Sequence, residues 1–453
     1  MYSLMQLRVA HKRQWILMDT VTCLPLLIPL RYHLDNLSTR SLSTQSASLQ
    51  ALKFFYEFWH QKYGFTFCYS FHASSYDPSI AIDEMPNFFQ YLENGRSSSP
   101  NILPLPLSTA ANQRTASVRV HAVAKFIAFL ISTYISPAYQ DGSPKEQARL
   151  ATRLYTQLSL RKDGYRMLTS TFQKRNANFK SMTVEMVTSV YKIITPCSSG
   201  NLNVLNPFPY GRIQLRNFLI VRLLLNYGLR VGELLLLECC SIKQNVQGDK
   251  YSLIITTVNN KIDIRKHAPS LKNIYANRVL ELDKHDYNLL MIYINRIRKN
   301  DSSHDFIFTS SQKNGKPLSY SAVHTLFAKL DFILKRNHPE FCDPGCYDSL
   351  PRLTPHTARH TWAYLTLKKI YRQKTLNYRS IPAMSSLDSN LMAEAKDELR
   401  IIAGWSMNSK MPDLYAKRFI SEQANAANLQ RIAEENATHK DIVNYIVEMS
   451  NDL

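Results

Sequence analysis

Apolar residues recur at helical spacing through most of this chain. In TQSASLQALKFFYEFWHQK (44–62), Leu49, Leu52, Phe55 and Trp59 fall three or four apart, and Thr44 or Ser46 stands where a cap belongs. SVRVHAVAKFIAFLISTYIS (117–136) carries a second stripe through Val120, Val123, Phe126, Ile127, Leu130 and Ile131. Residues 145–160 read as a third, polar-faced helix, and the proline-bearing stretch 96–116 as a loop. Nothing in this half reads as a sheet. Residues 41–165 are therefore expected to form a compact helical domain, preceded by a segment, 1–40, whose modest charge favours packing over DNA contact.

The second half mixes periods. Helical patterns at 182–194 and 213–227 give way to YSLIITTV (251–258), KIDIRKHA (261–268) and YANRVLEL (275–282), whose alternation predicts three short antiparallel strands. Helices resume near 284–299, 319–336 and 355–372. The expected fold class is thus mainly α with a small antiparallel β-sheet, in two domains: a helical one and an α+β one spanning 182–425. Between them, 166–181 reads as a basic linker. The six cations Arg161, Lys162, Arg166, Lys174, Arg175 and Lys180 stand against Asp163 alone, which suits a solvated linker and a strap along phosphates equally. Residues 426–453 form a helical tail.

Charge narrows the partner. The 453 residues hold 55 lysines and arginines against 35 acids, a formal net charge of +20, which favours nucleic acid, though a ribosome-associated or membrane-surface protein would also suit it. The tail opposes this trend, with six acids and only Arg431 and Lys440 across 421–453, and is expected to lie off DNA. No stretch reads as a bilayer span; FLIVRLLLNYGLRVGELLLL is broken by Arg222, Arg230 and Glu233, and no membrane partner is expected. The amino terminus does not read as a signal peptide, because Asp19 and prolines interrupt its apolar run. Seven scattered cysteines fit a reducing cytoplasm. Cys342 and Cys346, near His338 and His356, make half a zinc site without a second pair, so two loop thiols is the better reading and no metal is expected. There is no P-loop.

Five chemistry-bearing residues then follow in order: Arg230 in NYGLRVGELLLL, Lys272 in SLKNIYANRVLEL, His356 and Arg359 in TPHTARHTWA, and Tyr415 in MPDLYAKRF. Cutting a phosphodiester without a metal needs fixed cations on the non-bridging oxygens, an in-line nucleophile and a proton for the leaving oxygen. Arginine suits the first task because its planar fork donates twice and stays charged. Gly228 can supply a left-handed helix end that aims Arg230 off the junction, with Glu233 orienting the guanidinium or favouring the helix start. For the segment alone, a surface arginine at a helix start is the more common case. Thr354 and Pro355 mark a helix start, which puts His356 and Arg359 on one face near free N–H groups. His360 shares that face or is buried against backbone. Lys272 lies between predicted strands, a proton donor in reach of a leaving oxygen, with Lys261 and Lys266 as competitors.

Together these residues resemble the tyrosine recombinases, or phage integrases. GLRVGELLLL is similar to that family's first-arginine motif, HTARH to its His-x-x-Arg-His box, and Gly404-Trp405 followed by Tyr415 to its closing motif. The resemblance covers about 180–425 and extends more weakly to 40–165, which looks like the family's helical core-binding domain. It implies a two-domain, C-shaped clamp around duplex DNA and a site-specific recombinase that integrates or excises a mobile element. Tyr415 would form a 3′-phosphotyrosyl link. Arg230 and Arg359 would hold the phosphate, Lys272 would be the general acid, and His356 would assist proton transfer or bind a phosphate oxygen. Trp405 would donate through its indole where many members have a second histidine. No cofactor or ATP is implied.

The resemblance further implies a homo-tetramer, a pair of dimers on DNA, with accessory proteins from the same element, acting in the cytoplasm on the nucleoid. The tail, through Leu429, Ile432, Ile442, Tyr445 and Ile446, would pack on a neighbouring protomer or back on its own domain. This chain departs from the pattern at Ala358 and Asn273, and in an insertion over 371–392 that makes Tyr378, then Tyr371, rivals to Tyr415. The same residues also suit a type IB topoisomerase-like nicking enzyme, or a DNA-binding protein that has lost cleavage.

Overall fold

The structure, a computed structural model, describes the chain apart from residues 10–11, 94–109, 137–139, 172–179, 198–199, 201, 210, 257–262, 264, 266–267, 272–273, 299–303, 311–314, 380–387 and 439–453. It divides into two compact units, Met1–Ala177 and Asn178–Leu453. The architecture is mainly α with small antiparallel sheets.

The first unit opens with a hairpin that the sequence reading did not anticipate. Strands β1 (Tyr2–Val9) and β2 (Lys12–Asp19) pair antiparallel, with Gln6 opposite Trp15. Tyr2, Trp15 and Leu17 are buried, and the Trp15 N–H donates to Gln45 Oε1 at 3.1 Å. The tryptophan and alternate leucine hold the hairpin against a helix, so a sheet does exist in this half. The helices follow as α1 (Leu27–Tyr32), which continues into a π-helical turn at His33–Leu37, then α2 (Leu42–Tyr63), α3 (Phe67–Ala73), α4 (Ser79–Asp83), α5 (Met85–Glu93), α6 (Ala110–Tyr134) and α7 (Pro144–Thr171).

Ser41, rather than Thr44 or Ser46, caps α2, its Oγ accepting from Thr44 N at 3.2 Å. The expected stripes of α2 and α6 meet in an aromatic core, where Phe55, Phe67, Phe71, Phe88 and Phe126 are fully buried. Within α6, Gln113–Tyr134 is by length and composition long and apolar enough to cross a bilayer, contrary to the reading that no stretch is. Its apolar face forms this core instead. The basic interval is helical as far as Thr171, as the end of α7, so its first part is not an extended linker.

The second unit runs α8 (Val184–Ile194), α9 (Arg212–Asn226), α10 (Val231–Leu236), β3 (Ile242–Gln244), β4 (Tyr251–Ile255), β5 (Arg278–Leu282), α11 (Lys284–Ile292), α12 (Tyr320–Asn337), α13 (Pro355–Arg379), α14 (Asp388–Ala403) and α15 (Met411–Thr438). The sheet is antiparallel in the order β3-β4-β5, with Leu253 opposite Ile242 and Leu280. Its third strand is therefore Ile242–Gln244; the described residues of 261–268 lie in no strand. Arg265 instead folds back on Asp263 and donates to the carbonyls of Leu235 and Leu318. On either side of 380–387, the insertion is helical, as the end of α13 and the start of α14. The seven cysteines are free thiols, and no group of three or more His, Cys, Asp or Glu with metal-holding geometry occurs among the described residues.

Candidate active site

Arg230 is the residue before α10, where the chain turns from Gly228. Gly228 is left-handed at φ 58°, and a Cβ there would lie 2.0 Å from Trp362 Cε3, so only glycine lets this turn lie flat on the indole. The turn is closed by a buried carboxylate. Glu233, 2% exposed, accepts at Oε1 from Arg230 Nη1 at 2.5 Å, and at Oε2 from the Arg230 backbone N–H at 2.9 Å. Arg230 Nη2 reaches the Gly404 carbonyl at 3.3 Å.

Arg359 arrives from α13. Thr354 caps that helix, its Oγ1 accepting from Thr357 N at 3.1 Å, and Pro355 is its first residue, where the sequence places both. The Arg359 guanidinium is 4% exposed and donates to the carbonyls of Gly228 and of Ala403, the latter at 2.7 Å. It lies 5.3 Å from the Trp405 ring centroid. Burial first, then Arg230 and Arg278, pull its pKa down to about 9 against the opposing pull of Glu233, so it remains charged at neutral pH.

A third guanidinium, absent from the sequence-derived set, completes this cluster. Arg278 of β5 donates from Nη2 to Glu233 Oε2 at 3.0 Å and from Nη1 to Ala276 O at 3.0 Å. Arg278 shares a strand face with buried Leu280 and Leu282. An arginine on the apolar face of a strand was the available signal, because such a charge needs a buried partner. Burial raises the Glu233 pKa, but Arg278, Arg359 and Arg230 outweigh it and hold the carboxyl below its ordinary value.

The cluster opens into a cleft of about 340 Å³ lined by Arg230, Glu233, Ser270, Tyr320, His324, His356 and Arg359. His356 is exposed at this cleft, its ring 4.2 Å from that of His360. Ser270, Tyr320 and His324 also escaped the sequence reading. Lys272 lies outside the described residues, as do its competitors Lys261 and Lys266; Ser270, two positions earlier, is on the cleft wall.

Tyr415, in the second turn of α15, is 5% exposed, and burial pushes its phenol well above the ordinary range. Its hydroxyl is 2.7 Å from His360 Nδ1, and its ring stacks on Trp405 with centroids 6.0 Å apart at 10°. Burial lowers the His360 pKa to about 3, helped by His356, Lys180 and Arg359, so the ring is neutral. His360 thus partners the tyrosine rather than backbone. Of the rival tyrosines, Tyr371 packs edge-on against Phe419, and nothing is described of the Tyr378 side chain.

Among the DNA-contact candidates, Arg161 and Lys162 lie on α7, Arg161 exposed and Lys162 half-buried. Arg166 is on the same helix, Lys180 is exposed, and Lys174 and Arg175 lie outside the described residues. The tail continues α15 to Thr438 with Leu429 and Ile432 at the surface; Ile442, Tyr445 and Ile446 lie outside the described residues.

The α15 helix is fixed just beyond the tyrosine. Arg418, 2% exposed, donates to Glu422 Oε1 at 2.7 Å, to Ser181 O at 2.7 Å and Oγ at 2.5 Å, and to Asp348 Oδ1 at 3.0 Å.

Residues 202–378 match the phage integrase family. The match includes the positions of Arg230, Lys272, His356 and Arg359 and ends before Trp405 and Tyr415. Solved structures similar to this chain include an integrase of the Tn1549 transposon in complex with transposon right-end DNA, at 14% identity, covering 78% of this chain and 94% of that one with a TM-score of 0.40. Another is the XerH site-specific recombinase bound to difH substrate, at 15% identity, covering 72% and 93% with a TM-score of 0.32. No curated protein matches.

Proposed function

We propose that this chain, whose residues 202–378 match the phage integrase family, is a tyrosine recombinase: a site-specific DNA recombinase that cuts and rejoins duplex DNA through a 3′-phosphotyrosyl intermediate. The observation that carries this reading is convergence. Four separate segments converge: Arg230 bonds Glu233 and the Gly404 carbonyl, Arg359 bonds the Ala403 carbonyl, His360 bonds Tyr415, and Trp405 stacks on Tyr415.

A scissile phosphate entering the cleft meets the guanidiniums of Arg230 and Arg359, which offset the charge on its non-bridging oxygens. Tyr415 attacks phosphorus: a bond forms between its phenolic oxygen and phosphorus, and the bond from phosphorus to the 5′-oxygen breaks. The phenol loses a proton and the leaving 5′-oxygen gains one, Lys272 being the assigned donor. A 5′-hydroxyl from the second duplex reverses these steps, so the bond energy is retained and no nucleotide is consumed. His356 binds a phosphate oxygen at the cleft mouth, and Trp405 holds both Arg359 and the tyrosine ring.

The phenol is buried and bonded to His360, so attack on a phosphate in the cleft requires Tyr415 to leave that contact. The working unit is read as a tetramer on DNA, serving a mobile element in the cytoplasm.

Nicked suicide duplexes drawn from DNA flanking the gene test this reading. Wild type should trap a covalent protein–DNA adduct in EDTA, and Tyr415→Phe should trap none. Adduct from the Phe variant would move the nucleophile elsewhere. No adduct from either would favour a DNA-binding protein, and supercoil relaxation without exchange a topoisomerase-like enzyme.

A further inference from the structure

We infer that Arg278 is a positioning residue: it occupies Glu233 so that the carboxylate does not neutralise Arg359, which leaves the Arg359 charge available to a phosphate. This rests on reading the cleft as a phosphodiester site.

Glu233 is one buried carboxylate among three guanidiniums, of which Arg278 and Arg359 are buried and Arg230 is half-buried at the cleft. Arg230 takes Oε1, while Oε2 receives the Arg230 backbone N–H and Arg278 Nη2. Arg359 Nη1 remains 3.7 Å from Oε2, outside hydrogen-bond distance. Its own bonds run to the carbonyls of Gly228 and Ala403, which orient a guanidinium without cancelling its charge.

Arg278 acts most strongly of the three cations on Glu233, and Arg359 and Arg230 act on it as well. Arg278 adds a positive charge to a buried group, which leaves the cluster with two uncompensated charges and a demand for an anion. The fold makes room for this excess. Gly404 is left-handed at φ 62°, and a Cβ there would lie 2.8 Å from Arg278 Nη1 and 3.0 Å from Tyr275 O. The Arg278 side chain is 7% exposed and fixed through Ala276 O, so it cannot swing out to meet DNA without dismantling this packing. With Arg278 removed, Oε2 would be free to close the 3.7 Å gap to Arg359.

The experiment compares wild type, Arg278→Gln, Arg278→Lys, and Arg278→Gln combined with Glu233→Gln. Three readouts are taken: the single-turnover rate of adduct formation, the Kd for duplex DNA, and binding of inorganic phosphate by thermal shift. Arg278→Gln should slow adduct formation about tenfold, a fraction of the loss from deleting a direct donor. It should weaken phosphate binding in step while leaving the DNA Kd nearly unchanged, because contacts along the duplex dominate that affinity. Arg278→Lys should keep most of the rate, and the double variant should recover most of what Arg278→Gln loses.

A double variant no better than Arg278→Gln, or a DNA Kd that weakens in parallel, would overturn the inference. If wild type forms no adduct, the recombinase reading fails separately. The phosphate series still decides the role of Arg278: recovery in the double variant upholds it and additive loss refutes it.

Discussion

The Tyr415 hydroxyl and His360 Nδ1 lie 2.7 Å apart, so the candidate nucleophile is tied to the helix that carries Arg359 one residue earlier. Because His360 is held neutral, the bond joins two uncharged groups, and it holds the phenol without preparing it to ionise. It is a resting contact, and its stability has a pH dependence of known sign.

The His360 pKa is depressed from 6.5 to about 3 in the folded chain, so the unfolded chain binds the extra proton first. Stability is present above about 6.5 and is lost as pH falls towards 3, by about 2 kcal/mol at pH 5. His360→Asn, which keeps a polar atom near the Nδ1 position, should show a smaller drop in melting temperature between pH 7 and pH 5 than wild type. Equal drops would remove His360 from the acid response.

Glu233→Ala would leave two buried guanidiniums and the half-buried Arg230 without their carboxylate, and the α10 turn without its acceptor. A loss of about 3–5 kcal/mol is expected, the usual effect of breaking a buried ion cluster. Glu233→Gln keeps an acceptor and should cost less. Chemical denaturation of the two variants checks the order.

Gly228→Ala should be among the most damaging one-carbon additions, because its Cβ meets the Trp362 ring and its φ is left-handed. Moving that turn also moves the carbonyl that receives Arg359. The expected outcome is lower thermal stability together with at least about tenfold slower adduct formation, as misplacing a phosphate-binding group implies.

Arg418→Met and Arg418→Lys should both loosen α15, the lysine because it lacks the fork that reaches Ser181, Asp348 and Glu422 at once. Amide exchange at Met411–Phe419 should quicken in both variants. Unchanged protection would mean that burial of Tyr415, Ala416 and Phe419 alone holds the helix.

Much of the helical order was legible because long stripes such as Val120 to Ile131 have a single period and a single use. The helix start at Thr354-Pro355 was legible because capping is local chemistry. The amino-terminal hairpin was not: its Trp15 and Leu17 alternate over too few residues to stand out beside broken apolar runs. The described residues of the strand expected over 261–268 lie in no strand, and among them Arg265 satisfies itself on Asp263 and two carbonyls rather than on a ladder. Within the site, Arg230, His356 and Arg359 sit at element ends that sequence signals mark. Arg278 and the His360–Tyr415 bond depend on segments 45 and 55 residues apart meeting in space, which no local pattern encodes.

Tyr415 lies only four residues into α15, a helix of 28 residues that continues to Thr438 and is exposed over its second half. At about 1.5 Å per residue the rod is roughly 40 Å long. Its buried end carries the phenol and its bare end carries Glu434 and Glu435. Arg418 sits near the boundary between the two, as a fulcrum does. The buried candidate nucleophile and the exposed acidic end thus belong to one continuous helix, pinned between them by the Arg418 bonds to Ser181 and Asp348.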